Sequence, residues 1–138
     1  MEEQFFPNEK IIVTDYFDIH QDWEVPIPGF FIVASIKNRV SLDEFDEKEA
    51  NEFLYLTRKL RKGMKDVLGI KTVCLYQDEG SRHGFHLWIF PRYEWMNKFG
   101  NKVESIRPII NHAKENMVND EVFLEVKDIV KKMRDYMK

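Results

Sequence analysis

The chain predicts an α+β domain: a five-stranded antiparallel sheet with a long helix before strand four, plus two C-terminal helices. Three observations predict it. Short apolar runs, rich in β-branched and aromatic residues and bounded by turn residues, recur before residue 35 and again over 71–77 and 85–90. One long helical periodicity, residues 46–68, separates the third run from the fourth. Beyond residue 103 only helical periodicity remains. The order βββαββαα gives an antiparallel sheet with helices packed on it.

The first two strands are Lys10 to Thr14 and Tyr16 to His20, joined by a tight turn around Asp15. A Pro-containing loop, Asp22 to Gly29, leads into the third strand, Phe30-Phe31-Ile32-Val33-Ala34. The long helix opens on Asp46 with Glu49 three residues later, the form of a capping box. Its expected apolar face is Ala50, Phe53, Leu54, Leu60, Met64 and Val67, and Gly69 ends it. Lys71 to Gln77 is the fourth strand, Asp78 to His83 a polar loop, and Phe85 to Phe90 the fifth strand. In the tail, Ile106, Ile109, Ile110, Ala113 and Met117 form one stripe behind a Ser105 cap, with Pro108 tolerated in the first turn. Asn119 caps a last helix carrying Val122, Phe123, Val126, Ile129, Val130, Met133 and Met137.

All 138 residues are expected to form one domain, with a core over about 10–92 and a helical extension over 103–138. Hydrophobic residues make up 43% and charged residues 33%, the balance of a soluble domain. A net charge of −3 argues against wrapping extended nucleic acid, which needs a basic face, but leaves room for a small phosphate ligand. The single cysteine, Cys74, cannot pair within the chain, which fits a reducing, cytoplasmic setting. The acidic start is not a signal peptide, and no apolar run approaches the ~20 residues of a membrane span.

The segment with the most chemical content is Gly84-Phe85-His86-Leu87-Trp88-Ile89-Phe90-Pro91-Arg92. Alternation places Gly84, His86, Trp88 and Phe90 on one face and Phe85, Leu87 and Ile89 on the other, the core face. An imidazole between a bare glycine and a large aromatic suggests a histidine presented to a ligand. Strict alternation sends His83 to the core-facing side, away from His86, unless the loop or a bulge turns it. The pair His83 and His86 has metal-like spacing, but on a strand the two face opposite ways and no Cys or Asp ligands cluster nearby, so no metal is expected. His20 and His112 read as surface residues.

The same segment resembles the signature strand of the histidine triad family, H-x-H-x-H-x-x running into Pro-Arg. His86 falls on the middle histidine, while Gly84 and Trp88 occupy the first and third positions. The resemblance spans roughly residues 11–92. Upstream, Asp22-Trp23, then Pro26-Ile27-Pro28-Gly29, then Phe30 to Val33 match the family's Asp, Pro loop and strand. Phe30 replaces a histidine that follows the glycine.

This resemblance implies a nucleotide hydrolase acting at the α-phosphate. His86 is the implied nucleophile, passing through a transient nucleotidyl-histidine, with a diadenosine polyphosphate or a nucleoside phosphoramidate as substrate. Asp22 is implied to bind ribose and Trp23 to line the base pocket. Ser81 is implied at the phosphate, and Gln77 is the nearest polar match for a phosphate-side contact. Arg82 can replace lost imidazole donors, Trp88 can contact substrate, and His83 is the candidate acid. Nucleotidyl transfer needs a neutral imidazole, donors for the phosphoryl oxygens and an acid for the leaving group. An indole has one donor and no acceptor, and its N–H is a very poor acid. Two alternatives stand beside the enzyme: a catalytically impaired nucleotide-binding or protein-interaction protein, and a fold whose pocket Trp88 and Phe30 have closed. No cofactor is implied, and the family's homodimer through the long helix and the neighbouring strand is expected.

Overall fold

The computed structural model describes residues 3–138. Its strands are β1 (Lys10–Val13), β2 (Phe17–Gln21), β3 (Phe31–Ser35), β4 (Val73–Gln77) and β5 (His86–Pro91). All neighbours pair antiparallel in the order β1-β2-β3-β5-β4. The helices are α1 (Glu47–Asp66), before β4, and α2 (Ile106–Asn116) and α3 (Asp120–Met137), after β5. The α+β prediction and its element order hold, with strand limits moved by one or two residues. Among the described residues no helix is long and apolar enough to cross a membrane.

The sheet is covered on both faces. On one, Phe17, Ile19, Phe31, Val33, Phe85, Leu87 and Ile89 pack with Leu56, Leu60 and Met64 of α1 and Val126, Val130, Met133 and Met137 of α3. On the other, Ile32, Ala34 and Phe90 pack with Phe30, Ile27 and Val25 of the Pro loop and Ile109, Ile110 and Ala113 of α2. The two tail helices therefore separate: α3 completes the main core and α2 lies on the face that carries His86. Gly63 of α1 permits the first arrangement, because a Cβ there would stand 2.7 Å from the Tyr136 ring of α3.

Helix α1 begins as its sequence dictates. Asp46 accepts from the Glu49 backbone N–H, and the Glu49 side chain accepts from the Asp46 N–H. The predicted apolar face needs correction: Ala50, Leu54 and Val67 are exposed, while Leu56 joins Leu60 and Met64 inside. Only one flank of α1 meets the sheet and α3, so part of its apolar surface stays in solvent. Glu49 itself is buried, held by the Arg39 guanidinium at 2.7 Å. In the tail, Asn119 caps α3 through the Val122 N–H as predicted. Ser105 does not cap α2; its hydroxyl donates to Lys102 O and accepts from Arg92 instead.

Candidate active site

The site is built on the α2 face of the sheet. Two cross-strand rows set it out: Asp18, Ala34 and His86, and beside them His20, Ile32, Trp88 and Tyr76. A cavity of about 480 Å³ opens over these rows, within the range of small-molecule sites. The sheet contributes His20, Ile32, Tyr76, His86 and Trp88; the Pro loop contributes Asp22 and Trp23; the β4–β5 loop contributes Asp78, Ser81 and His83. Helix α2 closes one side with Arg107, Ile110 and Lys114, three residues on one helical face.

His86 is half-buried, with Nδ1 facing Gly84 O at 3.4 Å. A carbonyl only accepts, so this contact assigns the proton to Nδ1 and leaves the lone pair on Nε2 of a ring that lines the cavity. Burial pushes the imidazole below its ordinary titration range; the Gly84 carbonyl and the Asp18 charge oppose this, while His20 and His83 reinforce it. The result is a neutral imidazole at neutral pH.

The geometry at Gly84 accounts for a glycine where the resembled motif has its first histidine, and for the position of His83. Its φ is +76°, and a Cβ there would meet Arg39 O at 3.1 Å. The Arg39 carbonyl also receives the Phe85 N–H at 2.7 Å, so the segment is pinned where only glycine fits without strain. We expect Gly84→His to destabilise the fold by at least about 1–2 kcal/mol and not to rebuild a triad; a thermal melt equal to wild type would contradict this. The same backbone twist breaks strand alternation. His83 therefore turns to the cavity, contrary to strict alternation, its ring 5.8 Å from that of His86 and edge-on. The Ser81 hydroxyl accepts from the His83 N–H at 3.2 Å, which orders this turn.

Asp22 lines the cavity and shapes its own loop: Oδ2 accepts from the backbone N–H groups of Glu24 and Val25 at 3.1 and 2.9 Å. Burial raises its carboxyl above the ordinary range, opposed by these N–H groups and by the charges of His20 and Lys114. Beneath it, the buried Gln21 amide donates to Ile27 O and accepts from the Gly29 N–H, bracing the Pro loop. Trp23 is partly exposed and packs against His20, with ring centres 5.4 Å apart. Trp88 is held edge-on by Phe30 at 5.1 Å and lies 5.5 Å from Tyr76.

Two predicted residues lie outside the cavity. Gln77 pairs with Leu87, on the opposite face of the sheet, and donates to Val40 O. Alternation from Tyr76, which does line the cavity, requires this. Arg82 is exposed on the loop and does not line the cavity. In the other direction, His20 is not a surface residue: it is 6% exposed and part of the cavity wall. The signal was present in β2 and the residue after it, where Asp18, His20 and Asp22 alternate with the fully buried Phe17, Ile19 and Gln21. Arg107 and Lys114 were also missed; they flank Ile110 on α2 at helical spacing. Among the described residues, no group of three or more His, Cys, Asp or Glu is placed to hold a metal ion.

Comparison with solved structures places this architecture. A histidine triad protein from Bradyrhizobium japonicum superposes with a TM-score of 0.67, 10% identity, and coverage of 94% of this chain and 90% of that one. A Hit-like protein from Bartonella henselae, described as involved in cell-cycle regulation, gives a TM-score of 0.61 at 17% identity, covering 92% and 85%. A histidine triad protein from Marinobacter aquaeolei gives 0.60 at 13% identity, covering 90% and 89%. No family model and no curated protein matches the chain. The chain has the histidine triad fold, and the alignments extend over the tail helices as well as the sheet.

Proposed function

We propose that this protein is a nucleotide hydrolase acting at the α-phosphate, on a diadenosine polyphosphate or a nucleoside phosphoramidate, through a transient nucleotidyl-histidine on His86. The observation that carries this reading is the state of His86: a neutral-biased imidazole in the wall of a ligand-sized cavity, with Nδ1 on a main-chain carbonyl. Nε2 attacks phosphorus, and the bond to the leaving group breaks. The Ser81 hydroxyl and His83 serve the phosphoryl oxygens from the β4–β5 loop. Asp22 and Trp23 take the sugar and base at the opposite rim. Water then releases the mononucleotide and regenerates His86. The test is release of adenosine monophosphate from diadenosine tetraphosphate and adenosine phosphoramidate by purified protein.

The pH dependence follows from the neutral nucleophile. His86 titrates below its ordinary 6.5, so the acid limb of kcat/KM falls below pH 6.5. The unfolded chain takes up this proton at higher pH than the folded one. This group therefore also makes the fold less stable as pH drops through 6.5 toward its folded value. An acid limb centred above pH 6.5 would contradict a neutral, desolvated nucleophile.

A second reading, nucleotide binding without turnover, draws on Trp88. The third triad position holds an indole wedged between Phe30 and Tyr76, with no acid function. Nucleotide binding by calorimetry with no product release would select it.

We also propose a homodimer through α1 and β4. Leu54 and Tyr55 of α1 are 58% and 62% exposed, and Leu75 and Tyr76 of the edge strand β4 are 60% and 44% exposed. Sedimentation should give a dimer that Leu54→Glu with Tyr55→Glu converts to monomer; a monomeric wild type ends the idea.

A further inference from the structure

We propose that His20 is a second catalytic imidazole, the acid–base partner of His86 on the leaving-group side of the cavity, supplied by β2 in place of the histidines that β5 lacks. This rests on the hydrolase reading above.

His20 pairs with Ile32, which pairs with Trp88. It therefore stands on the site face, in the row that ends at the indole occupying the third triad position. Its Nδ1 lies 2.8 Å from Gln21 O, so Nδ1–H donates to that carbonyl. This leaves Nε2, which has no partner among the described residues. The buried, unpartnered side-chain polar atoms among those residues are Asp18 Oδ1 and Thr57 Oγ1, so His20 Nε2 is not sealed in the core. The residue itself lines the cavity. Packing against Trp23 fixes the ring plane. A histidine kept only for structure in a buried strand satisfies its polar atoms internally. His20 satisfies one nitrogen and presents the other, as His86 does.

Position separates His20 from the nearer candidate. In-line displacement puts the attacking and leaving atoms on opposite sides of phosphorus. His83 sits beside the His86 ring, where it can reach the phosphoryl oxygens flanking the attack. His20 is two strands away, across β3, on the far side of a phosphorus held over Ala34 and Ile32.

The step balances as follows. The His86 Nε2 lone pair forms the P–N bond while the bond from phosphorus to the leaving oxygen or nitrogen breaks. The leaving atom keeps the bonding pair and takes the Nε2 proton of His20, which enters this step as the imidazolium and leaves it neutral with its remaining proton on Nδ1. Neutral His20 then accepts a proton from water as the water oxygen attacks phosphorus. The P–N bond breaks back to His86, and the mononucleotide leaves with His20 protonated again.

The experiment varies the leaving group. The kcat/KM value reports the step in which His86 is nucleotidylated, before any contribution of His20 to hydrolysis of the intermediate. It is measured for an adenosine phosphoramidate of an alkylamine, whose nitrogen must be protonated to leave, and for the p-nitrophenyl ester of adenosine monophosphate, whose phenolate leaves unaided. His20→Gln and His20→Asn should lose about 10²–10⁴-fold on the phosphoramidate and stay within a few-fold of wild type on the ester. Retained ester turnover also shows that the variants fold. Equal losses on both substrates, or none on either, with wild type active, overturn the role of His20 and leave the hydrolase reading standing. A wild type that turns over neither substrate overturns both.

Discussion

Replacing His86 with Ala should lower turnover of diadenosine tetraphosphate or adenosine phosphoramidate by at least about 10³-fold, with nucleotide affinity changed less than about tenfold. The first magnitude follows from removing the atom that attacks phosphorus in the proposed mechanism. The second follows from the cavity. Trp23, Asp22, Ser81 and Trp88 line it independently of His86, so truncating one half-buried ring leaves most contacts in place. Quenched single-turnover assays read the first and titration calorimetry the second. Equal turnover in the variant removes the nucleotidyl-histidine; parallel collapse of affinity and turnover makes His86 a binding residue.

The largest stability effect is expected at Phe85, next to His86 in the chain but on the opposite face of the sheet. Phe85 is 2% exposed and meets Phe45 and Phe53 edge-on, with ring centres 4.8 and 5.5 Å away. Phe53 and Phe45 in turn meet Phe17 at 5.6 and 5.4 Å. This cluster joins α1 and the segment before it to β2 and to the start of β5. Phe85→Ala removes a ring from a close-packed site that cannot collapse around the gap, at a cost of about 3–5 kcal/mol. Urea denaturation measures it directly, and a loss under about 1 kcal/mol would mean that the cluster relaxes freely. Because the Phe85 N–H also holds Arg39 O and its carbonyl accepts from the Ser35 N–H, the variant should also bind nucleotide more weakly through displacement of His86.

These two residues show how much the chain states locally. The alternation of Phe85, His86, Leu87, Trp88 and Ile89 separates a core face from a site face by strand geometry alone, and the structure keeps that separation. The capping box at Asp46 and the Asn119 cap were legible for the same reason: their hydrogen bonds span three residues. Asp22, Trp23, Ser81, His83, His86 and Trp88 were named from local pattern and resemblance, and all six line one cavity.

The readings that needed correction depend on distant parts of the chain. Gln77 was named as the nearest polar match on strand four, but its face is set by pairing with Leu87 across the ladder. Strict alternation put His83 on the wrong side because it fails at Gly84, which takes a positive φ where a Cβ would meet the carbonyl of Arg39, 45 positions earlier. Ala50, Leu54 and Val67 were assigned inward by helical period, but which flank of α1 is covered is decided by where α3 docks, through Gly63 and Tyr136.

The sequence by itself determined the element order and the two faces of β5, because these follow from periods of two and 3.6 residues and from short-range hydrogen bonds; the nucleophile role of His86 was implied by the resemblance alone. Only the tertiary structure decided what surrounds His86. Strand pairing brings His20 into the row of Trp88, and α2 folds back over the sheet to set Arg107 and Lys114 at the rim. A residue's neighbours across a sheet depend on register and docking, which are fixed by burial of apolar surface from the whole chain and are written in no local segment.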